Sequence, residues 1–446
     1  MEKRKLSAIA SYLNMEKETP DVIVSGIKKD NRQVEQGDLF VAISGENFDG
    51  HDFVLGAAKN GAVAALVSKD TDADIPCLKV EDTVIGLQKI AAGYRNDFDI
   101  PVVGVTGSVG KTTTKEMIAC VLSQKYNTLK TQGNLNNEIG LPFTVLELNS
   151  EHQAAVIEMG MNHFGEISRL TRVARPNIAV ISVIGESHIE FLGSKEGILK
   201  AKLEILEGLS EDGVVILNGD DELLWSQKGK LPFKTIYYGM KNNEVDIFGI
   251  EKSSSLEEIT FTVREIEGAE FKINVGGVHN LQNALAAIAV AKELKLSTAQ
   301  IAAGLDAFEN TGMRQKIIEK DGFLIINDCY NANPDSMRAS LALLKKTEGR
   351  RIAVLADMLE LGEASRDAHL AIGKVAAESA DIIMVTGDMR ETVAQGARGS
   401  EVYTFESAEE LSKTLKGKLM PDDKVLVKAS RGMHLERVVE KILEEE

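Results

Sequence analysis

The chain has 446 residues, of which 43% are hydrophobic and 27% charged, and its formal net charge is −17. This length predicts about three domains with ample core, and the acidity argues against a nucleic-acid partner, which would need a basic face. No apolar run reaches the roughly 18 residues of a membrane helix, and the start lacks the apolar core of a signal peptide. Cys77, Cys120 and Cys329 lie far apart, so we expect reduced thiols and a cytoplasmic protein without membrane insertion.

Residues 1–98 mix short strand-like runs with helices. DLFVAI and AVAALV have the composition of strands, whereas TVIGLQKIAAGYRN has that of a helix. The pattern predicts a small α/β domain.

The segment IPVVGVTGSVGKTTTKEM, residues 100–117, opens the second unit. An apolar strand ends near Val105, a glycine turn follows, and Lys111 and Thr112 begin a helix. This order is typical of loops that hold nucleotide phosphates, with Lys111 on the β/γ-phosphates and Thr112 on Mg²⁺. Val105 stands where the standard motif has its first glycine, and a chance glycine turn is the less favoured alternative.

Two further buried strands, AAVIEM (154–159) and IAVISVI (178–184), are followed by polar residues. Glu158 closes the first strand, where a carboxylate beside the phosphate loop could hold Mg²⁺ or simply face solvent. His188 follows the second strand, although a lone loop histidine is usually structural or exposed.

Lys202 lies on the apolar face of the helical segment GSKEGILKAKLEILEGL, between Ile198 and Ile205. A lysine on that face is costly unless it is paired or neutral, and burial lowers its pKa. Extension of the side chain to the surface is the alternative.

The segment GGVHNLQNALAAIAVAKEL predicts a long helix. His279 and Asn283 share one face of it and could contact an adenine edge. Capping of the helix by Asn280 explains the same residues equally well.

Residues 314–446 alternate strand-like runs with helices, which predicts a doubly wound parallel sheet. The runs are FLIIND, RIAVLAD, DIIMVTGD, EVYTF and KVLVKAS. Asp328, Asp357, Ser430 and Arg431 follow such strands at the sheet edge where ligands bind, and Arg314 could reach across the junction to a phosphate or carboxylate. These patterns predict an ATP- and Mg²⁺-using enzyme of three α/β domains, but they do not identify the acceptor.

Eight ordered motifs together resemble the Mur ligase family. They are DNRQVEQGDLFVAISGENFDGHDF, TGSVGKTTTKEM, TQGNLNNEIGLPFT, IEMGMNHFGEI, HNLQNALAA, NDCYNANPDSM, ADMLELG and KASRGM. The resemblance implies an N-terminal domain for the UDP end of a substrate (1–98), a central P-loop ATPase domain (99–313) and a C-terminal Rossmann-like domain for the incoming dipeptide (314–446). It also implies an ATP-dependent amide bond between UDP-N-acetylmuramoyl-tripeptide and D-alanyl-D-alanine, formed through an acyl phosphate in peptidoglycan precursor synthesis.

The resemblance implies a role for each matching position. Lys111, His188 and a carbamylated Lys202 would be catalytic, and Thr112, Glu158 and His188 would serve Mg²⁺. The ATP-binding positions would be Gly107, Ser108, Val109, Gly110, Lys111, Thr112, Thr113, His279, Asn283, Arg314, Asp328 and Tyr330. The substrate-binding positions would be Asn31, Arg32, Asp49, Gly50, His51, Asp52, Asn134, Asn137, Ser430 and Arg431.

Three alternative functions are weighed against this ligase: a related ligase, a GTPase and an inactive binding module. A folylpolyglutamate synthetase-like ligase should lack DGHDF and NANPDSM, and the diaminopimelate-selecting motif D-N-P-R of a sister ligase is absent. A GTPase would need N-K-x-D, but the chain contains no Asn-Lys dipeptide. A catalytically inactive binding module is the third alternative, and the presence of all five expected residues argues against it: Lys111, Thr112, Glu158, His188 and Lys202. We therefore expect a ligase that acts on small molecules, most simply as a monomer.

Overall fold

The computed structural model describes residues 1–15, 19–45, 47–310 and 312–444. These residues form a mixed α/β structure with sheets of two, four, nine and six strands, which confirms the predicted fold class. Within the described ranges, no helix is long and apolar enough to cross a membrane. We call residues 1–98, 99–313 and 314–446 the N-terminal, central and C-terminal units, after the predicted boundaries.

The N-terminal unit contains a parallel sheet in the order β3-β4-β5-β6 beside a short antiparallel pair, β1-β2. The runs DLFV and AALV are buried along their whole length, as expected of inner parallel strands. The elements are β1 Arg4–Lys5, α1 Leu6–Tyr12, β2 Ile23–Val24, β3 Gly26–Lys28, β4 Asp38–Val41, α2 Val54–Lys59, β5 Ala64–Val67, β6 Cys77–Lys79 and α3 Thr83–Arg95, with 3₁₀ turns at Asn31–Gln33 and Gly50–Phe53.

Helix α3 fastens the N-terminal unit to the central unit through side chains that donate to backbone carbonyls. The Tyr94 hydroxyl donates to the Leu148 carbonyl at 2.6 Å, and Arg95 Nε donates to the Ala174 carbonyl at 3.0 Å. The Asp82 carboxylate starts the helix by accepting from the first free N–H groups. The two units are therefore joined by polar as well as apolar contacts.

The central unit is built on nine strands in the order β15-β14-β13-β12-β11-β10-β7-β9-β8. Strands β7 to β12 run parallel, and β13, β14 and β15 form an antiparallel extension. The strands are β7 Val102–Thr106, β8 Thr128–Lys130, β9 Ala154–Glu158, β10 Ile178–Ile181, β11 Val214–Asn218, β12 Lys234–Gly239, β13 Ile247–Ser254, β14 Ile259–Val263 and β15 Glu270–Ile273.

The helices of the central unit cover both faces of its sheet. They are α4 Lys111–Leu122, α5 Gly140–Leu146, α6 Glu166–Ala174, α7 Ile189–Leu192, α8 Lys195–Leu203, α9 Glu222–Trp225, α10 Val278–Glu293 and α11 Thr298–Asp306, with a 3₁₀ turn at Glu204–Gly208. Helix α10 is buried from Leu281 to Ala291 except at Gln282, because it packs between α4 and the sheet. The segment around Lys202 is a helix that tightens into the 3₁₀ turn, rather than one continuous helix.

The C-terminal unit has six strands in the order β16-β17-β21-β18-β19-β20, all parallel except the edge strand β16. The elements are β16 Lys316–Lys320, β17 Phe323–Asn327, α12 Pro334–Lys345, β18 Arg351–Leu355, α13 Ser365–Ser379, β19 Ile382–Thr386, α14 Arg390–Gly396, β20 Glu401–Phe405, α15 Ala408–Lys418, β21 Lys424–Lys428 and α16 Glu436–Leu443, with 3₁₀ turns at Gly362–Ala364 and Arg431–Met433. Strand β16 was not predicted from the sequence. Asp321 and Gly322 both have positive φ between β16 and β17, and Asp-Gly between two apolar runs is a hairpin signal.

Candidate active site

A cleft of about 600 Å³ lies where the carboxyl ends of the central strands face the C-terminal unit. Strand β7 stands between β10 and β9 in the sheet, so the crevice opens beside it, as in other open α/β sheets. Fifteen of the predicted positions line this cleft: Ser108, Val109, Gly110, Lys111, Thr112, Thr113, Asn134, Asn137, Glu158, His188, His279, Asn283, Arg314, Asp328 and Tyr330.

The loop between β7 and α4 has the backbone of a phosphate cradle. Gly110 has φ +84 and forms the N-cap of α4, so the first N–H groups of that helix are free to bind an anion. Lys111 Nζ donates to the Gly107 carbonyl at 2.8 Å. Burial lowers the pKa of Lys111, while the carboxylates of Glu158 and Glu360 act in the opposite direction.

Glu158 at the end of β9 is 2% exposed. Its Oε1 accepts from Asn136 Nδ2 at 2.7 Å, and its backbone N–H donates to Thr131 Oγ1 at 2.9 Å. Its Oε2 is buried without a hydrogen-bond partner among the described residues. A buried carboxyl oxygen left in this way fits a cation in the cleft. Because the residue is buried, the solvent-exposed alternative for Glu158 is wrong.

His188 lies before α7 with φ +62, in the left-handed region. Its Nδ1 is 2.7 Å from Oε2 of Glu360, at angles that do not make a hydrogen bond. The neighbouring His188 lowers the pKa of the Glu360 carboxyl. This contact joins the central and C-terminal units.

Lys202 is 1% exposed, as its place on the apolar face predicted. Burial first, and then the positive charge of Lys111, hold the pKa of the Lys202 amine well below its usual range. The alternative in which this lysine extends to the surface is therefore wrong.

The first turn of α10 forms one wall of the cleft. Asn283 Oδ1 accepts from Thr114 Oγ1 at 3.0 Å, and His279 Nε2 lies 3.0 Å from Gln315 Nε2. Burial lowers the pKa of His279 to about 4. The alternative in which Asn280 caps this helix is wrong, because Gly277 is the N-cap and Asn280 Nδ2 donates instead to Gly276 O and Gln315 Oε1.

The C-terminal unit closes the cleft with Arg314, Asp328 and Tyr330. The Arg314 guanidinium lies over the Tyr330 ring, 3.5 Å from its centroid. Asp328 Oδ2 accepts from Lys428 Nζ at 2.6 Å and from Ser340 Oγ at 2.6 Å. Lys428 is 2% exposed, and this buried partner of Asp328 was not identified from the sequence.

Several predicted positions lie away from this cleft lining. Ser430 is buried, donates to the Ala332 carbonyl and accepts from the Leu359 N–H at 2.9 Å. Arg431 is exposed, and its Nη1 is 3.7 Å from Glu436 Oε1. The residues away from the lining are Asn31, Arg32, Asp49, Gly50, His51, Asp52, Gly107, Lys202, Ser430 and Arg431.

In the N-terminal unit, the predicted substrate residues form two local networks. Arg32 pairs with Asp30 at 2.7 Å and lowers the pKa of that carboxyl to about 2. His51 is buried, with Nδ1 2.6 Å from Asp49 Oδ1, and its Nε2 accepts from the Ser68 N–H at 2.9 Å. Since Nε2 is an acceptor, the proton of a neutral His51 sits on Nδ1, facing the carboxylate.

Comparison with known proteins gives matches along most of the chain. Residues 23–103 match the Mur ligase family, catalytic domain, residues 105–291 the Mur ligase middle domain, and residues 313–431 the Mur ligase, glutamate ligase domain. A UDP-N-acetylmuramoyl-tripeptide–D-alanyl-D-alanine ligase of Bacillus subtilis is 41% identical over 95% of this chain and 94% of its own length.

Solved structures agree with these sequence matches. A crystal structure of MurF from Acinetobacter baumannii superposes with a TM-score of 0.94 at 32% identity, covering 100% of both chains. The MurF ligase of Thermotoga maritima in complex with ADP gives a TM-score of 0.83 at 31% identity over 93% of this chain and 96% of that one. The chain therefore belongs to the Mur ligase family.

Proposed function

We propose that this protein is an ATP-dependent ligase that joins UDP-N-acetylmuramoyl-tripeptide to D-alanyl-D-alanine in peptidoglycan precursor synthesis. The observation that carries the proposal is one cleft in which the phosphate loop, Lys111 and the unpartnered oxygen of Glu158 face Arg314 and Asp328 of the C-terminal unit. The names and coverage of the matched relatives support the same activity.

The phosphate loop would bind and orient ATP. The free N–H groups at the start of α4 would contact phosphate oxygens, and Lys111 would leave the Gly107 carbonyl to stabilise the negative charge of the transferring γ-phosphoryl group. His279 and Asn283 would meet adenine, while Arg314, Asp328 and Tyr330 would meet the ribose and phosphates. The tripeptide carboxylate would attack the γ-phosphorus, forming the acyl phosphate and releasing ADP.

The donor set fits Mg²⁺. Glu158 offers a buried carboxylate oxygen that has no hydrogen-bond partner in the described part of the chain, and Thr112 offers a hydroxyl from the first turn of α4. No group of three or more His, Cys, Asp and Glu that could hold a metal occurs within the described residues. This agrees with a cation that keeps several waters and binds substrate phosphates. Mg²⁺ bound by these residues, with His188 as a further candidate, would neutralise charge on the phosphate oxygens.

Carbamylation of Lys202 remains a prediction. The lowered pKa of its buried amine favours the neutral form, which could add to CO₂, forming a C–N bond and releasing a proton. The product would carry a carboxylate in place of the amine. Lys202→Arg cannot form the carbamate and should be nearly inactive, whereas Lys200→Arg on the exposed face should keep wild-type turnover. Recovery of Lys202→Ala by acetate would support the carbamate, and an active arginine variant would contradict it.

The remaining roles complete the proposal. The N-terminal unit would take the uridine diphosphate end through Asn31, Arg32 and residues 49–52, while Asn134 and Asn137 would contact substrate in the cleft. Ser430 and Arg431 would lie near the incoming dipeptide. We also propose domain boundaries at 98/99 and 313/314, a monomer, and a cytoplasmic location, where ATP is available.

Product analysis tests the proposal. UDP-N-acetylmuramoyl-tripeptide, ATP and Mg²⁺ are incubated with a panel of amines, and phosphate release and product mass are measured. Phosphate release should require both the tripeptide and D-alanyl-D-alanine. Equal turnover with glutamate and a folate, or with GTP alone, would refute it.

A further inference from the structure

The segment 356–362, which we call the β18 loop, follows β18 and carries Glu360. Two side chains hold the backbone of this loop just before Glu360. The Met358 N–H donates to His369 Nε2 at 2.9 Å, and the Leu359 N–H donates to Ser430 Oγ at 2.9 Å. His369 Nδ1 lies 2.7 Å from the Ser365 carbonyl, which places the ring proton on Nδ1. The loop is therefore fixed by two neighbouring elements of the C-terminal unit.

Glu360 has φ +62, a left-handed conformation that is unusual for a residue with a side chain. Its side chain points out of the C-terminal unit and is 46% exposed, with Oε2 2.7 Å from Nδ1 of His188. The loop also packs against α7, because a Cβ built on Gly362 would lie 3.1 Å from Glu190 Cγ. A strained backbone that presents a half-exposed carboxylate across a unit boundary points to a functional role.

The surroundings of Glu360 are otherwise suited to anions. Glu360 borders the cleft rather than lining it: it contacts His188 and interacts with the charge of Lys111. Both of these residues, like Arg314, line the cleft, where the phosphates and the tripeptide carboxylate would bind. A further carboxylate here repels those anions unless it binds a cation of its own. Glu158 at the end of β9 already supplies a buried oxygen suited to a metal, and the other cation of the proposed reaction is the ammonium group of the incoming dipeptide. Binding of Mg²⁺ by Glu360 is the competing outcome, which the Mg²⁺ measurement below tests.

Resting on the proposed function, we propose that Glu360 binds the ammonium group of D-alanyl-D-alanine and places its nitrogen beside the acyl carbon at the His188 end of the cleft. Once the ammonium has lost a proton to water, the amine forms the C–N bond as the C–O bond of the acyl phosphate breaks and phosphate leaves. The C-terminal unit thereby brings the second substrate and its binding carboxylate together. Glu360 takes no part in forming the acyl phosphate, since the γ-phosphoryl group is held by the central unit.

The experiment compares the full-length wild type with Glu360→Gln and a control, Glu363→Gln, an exposed glutamate three residues further on. One measurement is kcat and KM for D-alanyl-D-alanine at saturating ATP and UDP-N-acetylmuramoyl-tripeptide. The second is hydroxamate formation with hydroxylamine, an uncharged amine at neutral pH that traps the acyl phosphate without an ammonium site. The third is the Mg²⁺ concentration for half-maximal rate.

Glu360→Gln should lower kcat/KM for the dipeptide at least about 30-fold, mainly through KM, because a charge-assisted hydrogen bond is lost. Its hydroxamate rate and Mg²⁺ requirement should stay within about twofold of wild type, and Glu363→Gln should be unchanged in all three. Glu360→Asp keeps the charge on a shorter side chain and should give an intermediate KM, which also provides a test if the glutamine variant does not fold.

Any one of three results for Glu360→Gln would overturn the inference and leave the proposed function standing. They are an unchanged KM for the dipeptide, an equal fall in the rates with dipeptide and hydroxylamine, or a raised Mg²⁺ requirement. The last would make Glu360 a metal ligand. A wild-type enzyme that forms hydroxamate but no product with D-alanyl-D-alanine would overturn the proposed acceptor, and the inference with it.

Discussion

Lys115 offers a sharp test of how the metal-binding side of the cleft is supported. It is fully buried on α4, with Nζ 2.6 Å from the Thr131 carbonyl and 2.7 Å from Glu116 Oε1. Thr131 in turn accepts the Glu158 N–H on its hydroxyl. Lys115 therefore ties the phosphate-loop helix to the residue that aligns Glu158.

Lys115→Met keeps most of the side-chain volume but removes the charge. The substitution leaves the Thr131 carbonyl without its hydrogen-bond donor. It also leaves Glu116, whose side chain is 9% exposed, with Lys130 as its remaining ionic partner. Losing one member of a buried pair costs about 3–5 kcal/mol, and the retained Lys130 puts this case near the lower end, about 3 kcal/mol. For a unit of roughly 200 residues this corresponds to a fall in melting temperature of about 6–12 °C.

Differential scanning calorimetry measures the effect, because it separates transitions in a chain of several domains. The control is Lys125→Met, whose exposed Nζ donates to the Leu294 and Lys295 carbonyls and which should shift the melting temperature by less than about 2 °C. Phosphate release by Lys115→Met should also fall, as Thr131 no longer holds Glu158 in place. A variant that melts within about 2 °C of wild type would refute this account of the buried charge.

Further predictions concern the phosphate loop and α10. Lys111→Ala should lower kcat at least about 1,000-fold through lost stabilisation of the transferring phosphoryl group; a near-native rate of phosphate release would contradict it. Gly110→Ala should weaken binding of a non-hydrolysable ATP analogue about tenfold, as measured by titration calorimetry. The reason is that Gly110 has φ +84 and that an added Cβ would lie 2.7 Å from Asn283 Oδ1. An unchanged Kd would count against this role of Gly110. Since the pKa of His279 is about 4 in the fold and about 6.5 unfolded, the unfolded chain binds more protons between these values, so stability rises with pH across this window and is lost as the pH falls towards 4. His279→Asn should remove up to about 3 kcal/mol of that dependence, seen as closer urea midpoints at pH 4.5 and pH 7; an unaltered gap would disprove the assignment.

The residues that sequence reasoning found share a local signature. Lys111, Glu158 and Asp328 each follow a buried strand, and the ends of parallel strands meet at one edge, so their convergence could be expected. The carboxyl-end rule also identified Ser430, although that side chain turns inward to bond Leu359 and Ala332.

The residues that were missed depend on contacts between distant segments. Gln315 joins α10 to the C-terminal unit through His279 and Asn280, and Glu360 reaches His188 across the same boundary. The periodicity of hydrophobic residues along the sequence does not predict contacts between segments so far apart in the chain. Lys428 stands at the end of the KVLVK strand, where a charged residue in a buried run could have signalled a partner.

The attachment of α3 to the central unit has an evolutionary consequence. Every acceptor of Tyr94 and Arg95 is a main-chain carbonyl, including those of Leu148, Ala174 and Ile100. A carbonyl is present whatever amino acid occupies its position, so substitutions at Leu148 or Ala174 leave the hydrogen bond available. The donors have no such freedom, since only a phenol and a guanidinium of this reach supply them. At this junction, the acceptor positions in the central unit can therefore change in sequence, whereas Tyr94 and Arg95 of α3 cannot change without loss of the hydrogen bonds.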